Sequence, residues 1–344
     1  MTTHGPAILL LFLVTLSSGD VSAQESTDLF AFFGPSVTAT QEDRQHLDTG
    51  GTVARVIPGT THAITIFSAT PLDASGDRLI AWIRRIAALK QSAYVQAIGR
   101  FSNPPQLADL ATLTLDDGDV DELQRCRPGR CGLKLAAAEL AELQRVSQGT
   151  GTERAGLVQD AFRRLVLRRV QTYVTSGHAA LPDQDDHRAP VSLQAAFSAL
   201  LQQFVFLRLH LPDVTEYMDH WPHRPVADVE SFLYWSKEHF GAKPVISATQ
   251  LSILRGDGRL VPEAVIVGKQ VFATHYSDGS LSVTAVVRDG PRRYLAYINE
   301  SDLDVLDGFW GGLARRILER RMRSEAPKVL ETLRHRLESG EPPP

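Results

Sequence analysis

Four segments decide the fold: Val245-Ile-Ser-Ala-Thr-Gln-Leu-Ser-Ile-Leu254, Ala264-Val-Ile-Val-Gly-Lys-Gln-Val-Phe-Ala-Thr-His275, Leu281-Ser-Val-Thr-Ala-Val-Val-Arg288 and Arg293-Tyr-Leu-Ala-Tyr-Ile-Asn299. Each is rich in branched and aromatic residues, and they are joined by Gly256-Asp257-Gly258, Asp278-Gly279 and Asp289-Gly290. Asp-Gly pairs tolerate the positive backbone dihedrals of tight hairpins, so the segments predict an antiparallel meander. In the third, Leu281, Val283, Ala285 and Val287 share one face while Ser282 and Thr284 share the other, which predicts one buried surface. A long helical pattern follows from Leu306, with Leu313, Ile317, Met322, Ala326, Val329, Leu333 and Leu337 as its apolar stripe. Pro327 predicts a kink there, or a fresh start capped by Ser324.

Working back toward the N-terminus, Thr52 to Ile57 and His62 to Phe67 read as two strands around Pro58-Gly59. Leu79, Trp82, Ile83, Ile86 and Leu89 recur at helical spacing after the start signals of Asp73 to Gly76. Tyr94 to Gly99 reads as a returning strand, ended by Asn103-Pro104-Pro105. From Gln106 to about Phe240 the composition turns to Ala, Leu, Gln and Arg, and helices are predicted at Leu135–Val146, Glu153–Val174, Val191–Leu209 and Asp228–His239. Asp119 with Glu122 fits a capping box. The joint Gly177 to Pro190 reads as a mobile linker.

The organisation expected is therefore residues 1–23 as a signal peptide, 24–48 as an irregular lead-in, 49–105 as the first part of an α+β domain, 106–240 as an inserted helical block, and 241–340 as the meander with its closing helix. The apolar run Ala7 to Leu16 is about half the roughly 20 residues of a spanning helix, and Val21-Ser22-Ala23 offers a cleavage site, so export to a periplasm or the medium is expected, with cleavage after Ala23. Removing that segment moves the formal charge of the 344-residue chain from -4 to about -3. That balance argues against nucleic-acid binding. Cys126 and Cys131 flank Arg-Pro-Gly-Arg, and a Pro-Gly turn in an oxidising compartment favours a local disulfide over free thiols.

The strand-to-helix opening Ala63 to Leu89, and the late meander closed by Gly308 to Glu338, resemble the helix-grip layout of START-like lipid-transfer domains. Phe232 to Gly241 and Lys269 to Tyr276 also resemble blocks of an uncharacterised set of secreted bacterial proteins. The START-like resemblance implies a cavity between curved sheet and long helix that holds an apolar small molecule or lipid. The fold class expected is α+β, an antiparallel sheet covered by a long C-terminal helix, with a large helical insertion.

Motif chemistry is sparse. Asp116 to Glu122 has Glu122 where a calcium loop requires Gly and Pro128 where it requires Glu. Gly149 to Gly156 lacks the Lys-Ser/Thr ending of a phosphate loop. His220 and His223 straddle Pro222, so they do not share a helix face for a metal. No catalytic residue, cofactor or metal is assigned. Phe272, His275 and Trp310 are the candidate ligand-lining residues, Trp310 because glycines flank it before the closing helix. Basic clusters at Arg163, Arg164, Arg168 and Arg169, and at Arg315, Arg316, Arg320, Arg321 and Arg323, offer peripheral membrane contact. The leading expectation is an exported binder of an apolar or lipid-like ligand. Its rivals are a hydrolase or isomerase with a site assembled from His239, His275 and Glu238, and an envelope protein that uses the helical block as a partner surface.

Overall fold

The computed structural model describes residues 28–60, 62–148, 151–307 and 310–340. The expected signal peptide lies outside them. Five strands, β4 (Val229–Phe240), β5 (Lys243–Arg255), β6 (Ala264–Ala273), β7 (Ser277–Asp289) and β8 (Arg292–Leu303), form a continuous antiparallel meander. Three earlier strands, β1 (Val53–Ile57), β2 (Ala63–Pro71) and β3 (Val95–Arg100), complete one eight-stranded sheet in the order β1-β2-β8-β7-β6-β5-β4-β3. Between β2 and β3 come α3 (Gly76–Ile83), capped by Ser75, and α4 (Ile86–Leu89). The chain ends in α11 (Gly311–Glu338). This is a helix-grip arrangement of an antiparallel sheet and a long C-terminal helix, with a large helical insertion between β3 and β4.

The insertion holds α5 (Asp117–Glu122), α6 (Ala137–Val146), α7 (Gly151–Ser176), α8 (Leu193–Gln203), α9 (Val205–His210) and α10 (Pro212–His220). The helix expected over Val191–Leu209 is interrupted at Phe204, where α8 gives way to α9. The helix expected over Asp228–His239 is instead β4. Phe232 and Tyr234 face α3 and α4 while Leu233 and Trp235 face the insertion, so burial on both sides erased the polar alternation that marks a strand. Trp235 lies across Gly99 of β3, where an added Cβ would come within 2.6 Å of the indole nitrogen.

Both faces of the sheet are covered. The apolar face of β7 packs not under α11 but against the insertion and the N-terminal segment. Leu281, Val283, Ala285 and Val287 join Phe197, Leu200 and Leu201 of α8 and Phe30 and Phe33 of α1 (Leu29–Phe33) in one core. The expected lead-in is thus ordered, with α1 and α2 (Gln41–Asp48) capped by Asp28 and Thr40. A second core joins α5 to α7 with Trp235, Ile246, Ala248 and Phe272. On the opposite face, α3, α4 and the C-terminal turns of α11 bury Phe232, Tyr234, Leu251, Ile253 and Ile266. Deleting one such fully buried Leu or Phe side chain costs about 2 to 5 kcal/mol, so each layer is held independently of the sequence's turn chemistry.

Three further expectations are corrected. Asp278 and Gly279 lie inside β7, and the chain reverses one step earlier at Tyr276, whose φ is 64°. Asp278 is drawn away by Lys134, and Gly279 lets Leu200 approach, an added Cβ meeting it at 3.0 Å. Asp119 does not cap α5, because its carboxylate accepts from His275 Nε2 (3.0 Å) and Lys243 Nζ (2.9 Å). The linker Gly177 to Pro190 is pinned by a Gln184–Val191 bridge and by Asp185, which accepts from the Ala137 amide at 2.7 Å. The Cys126–Cys131 disulfide is formed, with Cα atoms 4.7 Å apart.

Candidate functional site

Strand register places the inward residues in rows beside α11. Ser68 of β2 lies opposite Tyr297 of β8, which lies opposite Thr284 of β7 and then Ile266 of β6. The next row is Ile66, Asn299, Ser282 and Gly268, followed by Leu251. The β8 and β7 side of this floor is hydroxyl-rich, and the β6 and β5 side is apolar.

α11 runs along the β1 and β2 side. Its C-terminal end is tied down by Arg78, which donates to the Leu337 carbonyl at 2.9 Å, and by Glu338, which accepts from the Asp73 amide at 2.9 Å. Its N-terminal end is held by Arg315, which donates to the Ala63 and Thr60 carbonyls at 3.1 and 3.0 Å. Between those anchors the floor stays reachable. Ser280, Ser282 and Thr284 of β7 and Tyr297, Asn299 and Ser301 of β8 all keep solvent exposure, while Leu281, Val283, Ala285, Ala296 and Ile298 between them are buried. The inward residues of the first half of α11, Leu318 and Met322, are likewise only half-buried. These half-exposed side chains face the region between α11, α3–α4 and the sheet, the candidate recess.

At its far wall stands a polar cluster. Lys90, just after α4, donates to Glu238 of β4 and lies 3.4 Å from the Tyr234 hydroxyl, and Ser236 donates to Glu238 at 2.6 Å. Burial alone would lower the Lys90 ammonium, but Tyr234 and Glu238 outweigh it and hold it above the ordinary lysine range. Burial pushes the Tyr297 phenol up to about 12, although Lys90 pulls the other way. Tyr234 and Glu238 add to the rise, although Tyr297 sits on β8 and Tyr234 and Glu238 on β4. Among the described residues the hydroxyls of Ser282, Thr284 and Tyr297 make no hydrogen bond to protein. The buried Ser68 hydroxyl beside Tyr297 also lacks a partner. Asn299 instead donates to Ser280 (2.8 Å) and accepts from Ser301 (3.0 Å).

The residues singled out from sequence lie elsewhere. Phe272 is fully buried in the insertion-side core, with the Arg169 guanidinium 4.6 Å above its ring. His275 is buried between the Gly132 carbonyl (2.7 Å) and Asp119, where it ties the disulfide segment to the end of β6. Trp310 is 70% exposed at the start of α11. Of the proposed acid–base set, Glu238 lines the recess, His239 is exposed on the other side of β4, and His275 is held in the insertion. No hydrogen bond joins the three. Tyr234, Tyr297 and Lys90 were missed because they sit on β4, β8 and the end of α4, and only the folded chain brings these elements together.

Other polar groups are structural. Lys134, fully buried, bridges Asp186 (2.9 Å), Asp278 (2.5 Å) and Asp304 (3.0 Å), which fastens the insertion to β7 and to the end of β8. His187 stands near Asp186 and Asp304, but the ammonium already supplies the positive charge between those carboxylates. Lys269 is fully buried beneath α10 and donates to the Met218 carbonyl at 2.9 Å, with its Nζ 3.6 Å from the Phe197 ring centroid. Burial lowers its pKa to about 7, opposed only by Asp219.

Two cavities among the described residues, of about 120 and 100 Å³, lie away from the recess, one beside Ser36, Ile57 and Phe204 and the other beside Leu29, Arg44 and Asp48. Both are well below the roughly 300 Å³ of a small-ligand site. No described helix is long and apolar enough to cross a membrane.

No family model matches the chain, and no curated protein matches it. Among solved structures it is similar to TTHA0849 from Thermus thermophilus, with 14% identity over 39% of this chain and 87% of that one, at a TM-score of 0.26. It is also similar to the Zhui aromatase/cyclase from Streptomyces sp. R1128, with 18% identity over 39% of this chain and 88% of that one, at a TM-score of 0.23. What places the chain in the helix-grip class is its own strand order and closing helix.

Proposed function

We propose that this is an exported carrier whose recess beside α11 binds a small amphipathic molecule of lipid-like character. The observation that carries the reading is the split in accessibility along β7 and β8, where from Ser280 to Ala285 and from Ala296 to Ser301 the outward residues are buried and their inward neighbours stay open. The apolar part of the ligand would lie toward Leu251, Ile266 and α3, and its polar end would meet Ser282, Thr284 and Tyr297. The Cys126–Cys131 disulfide suits an oxidising compartment, which supports export.

Binding is favoured over acid–base catalysis for a physical reason. Lys90 is held above its usual range and Tyr297 is raised to about 12, so both keep their protons at neutral pH. A proton carrier works best with a pKa near the operating pH. Protein purified without detergent should carry a small molecule visible by native mass spectrometry, and fluorescent fatty acids should displace it. Thr284→Trp, which fills the floor, should abolish both signals while the protein stays folded. Repeatedly empty protein that also ignores the fatty acids would remove the proposal.

A further inference from the structure

The chain carries two arginine-rich helices, and they spend their charge differently. On α7, Arg163 pairs with Asp160 (2.7 Å), Arg168 with Glu142 (2.6 Å) and the buried Arg169 with Glu139. That helix is bound into the insertion and has little charge left for a partner. On α11, the only carboxylate between Trp310 and Ser324 is Glu319, and it is taken by Arg315 (3.9 Å) and Arg323 (3.3 Å). Arg316, Arg320 and Arg321 are exposed and make no ion pair among the described residues.

The same outward face is apolar. Leu313 is 52% exposed and Ile317 59%, one turn apart, with Trp310 three residues before Leu313. By helical geometry Arg316 and Arg320 flank this stripe on one side and Arg321 on the other. The stripe expected to pack on the sheet therefore points outward in its first half, while in its second half Leu337 is buried as expected, together with Leu330. Large apolar side chains ringed by unpaired arginines, with no acid between them, are costly to leave in water and complementary to one surface chemistry. Tryptophan at the end of such a stripe suits the headgroup layer.

We infer that the outer face of the first half of α11, formed by Leu313, Ile317, Trp310 and the flanking Arg316, Arg320 and Arg321, is a docking surface for an anionic phospholipid bilayer. Docking lays the helix in the interface plane, with the apolar stripe below the headgroups and the guanidinium groups against phosphates. The chain's overall negative charge, -4, repels such a surface, so binding depends on this patch being locally positive. The inference rests on the helix's outer face and does not require the recess to hold a ligand.

The test is co-sedimentation of the whole protein with vesicles of phosphatidylglycerol and phosphatidylcholine, against vesicles of phosphatidylcholine alone. Binding is expected to the anionic vesicles only and to weaken steeply with salt. Leu313→Glu combined with Ile317→Glu should lower it at least tenfold without moving the thermal midpoint, because both side chains are exposed. Arg316→Glu combined with Arg320→Glu should do the same. Thr284→Trp, which tests the recess, should leave vesicle binding unchanged, so the two readings can fail separately. Absence of binding to the anionic vesicles, or binding indifferent to these substitutions, would overturn the inference. So would a concentration-dependent dimer in analytical ultracentrifugation that Leu313→Glu with Ile317→Glu abolishes, which would give the face to a second copy of the chain.

Discussion

Ser282 and Val283 are neighbours on β7, yet they live in different solvents. Val283 is fully buried against α8, whereas Ser282 keeps access to water beside α11. The contrast runs along the middle of the sheet, and it teaches that a strand's alternation divides labour as well as burial. The insertion-side face, covered by α1, α8 and the helices of the second core, supplies stability. The other face, where α3, α4 and the C-terminal turns of α11 bury part of the sheet and leave Ser282, Thr284 and Asn299 half-exposed, is where a site can lie. The insertion covers the first of these faces, so the apolar residues of β7 point away from the closing helix.

The comparison can be broken most severely at Val283. Val283→Asp should cost about 3 to 5 kcal/mol in urea unfolding, or prevent folding, because it buries an unpaired carboxylate. Ser282→Asp, one residue away, should cost about 1 kcal/mol or less, and similar losses for the pair would erase the distinction between the faces. Next in size, Lys134→Met leaves Asp186, Asp278 and Asp304 facing one another without a cation and should cost about 3 kcal/mol at pH 7. Part of that loss should return on acidification as the carboxylates protonate. Lys90→Met in the recess should cost less, about 1 kcal/mol, since 28% of the Lys90 side chain remains solvent-exposed.

Lys269 sharpens the comparison through pH. Its folded pKa is about 7 against an ordinary 10.5. Between these values the unfolded chain holds a proton that the folded chain has released, so stability should rise with pH across that window and be lowest below it. Lys269→Met should flatten this part of the stability profile relative to the parent protein and raise stability near neutrality. A parent profile that falls between pH 7 and 10, or an unchanged slope in the variant, would show that the amine is not buried as described. A modest effect is also expected from the disulfide. Cys126→Ser with Cys131→Ser opens only a short loop and should cost about 1 to 2 kcal/mol by thermal unfolding, with the recess unaffected.

The meander was legible because its strands alternate and its turns at Gly256 to Gly258 and Asp289-Gly290 mark reversals, and all four of its strands sit within four residues of where they are expected. β4 was not, since Phe232 to Trp235 are buried on both sides and Lys237 and Glu238 look like helix surface. The reversal at Tyr276 was displaced by one long-range contact, Lys134 to Asp278, that local turn chemistry does not report. The closing helix was legible as a helix, and its buried side only in its second half, where Leu333 and Leu337 meet the core while Leu313 and Ile317 face outward. It carries apolar residues on two faces, and contacts made by Arg315, Arg334 and Arg336 help choose which one meets the sheet. The recess was the least legible part. Lys90, Tyr234, Glu238 and Tyr297 belong to separate elements, and none carries a local motif. Phe272 and His275, which do sit in a recognisable block, are consumed by Arg169 and Asp119.

The most direct measurement is thiol labelling of two single variants, Ser282→Cys and Val283→Cys, in the native, disulfide-intact protein with a small polar reagent. The expected result is rapid modification at position 282, slowed when a fatty acid is bound, and protection at position 283 until the protein unfolds. Equal protection at both positions would mean that the sheet is sealed on both faces and that no recess exists.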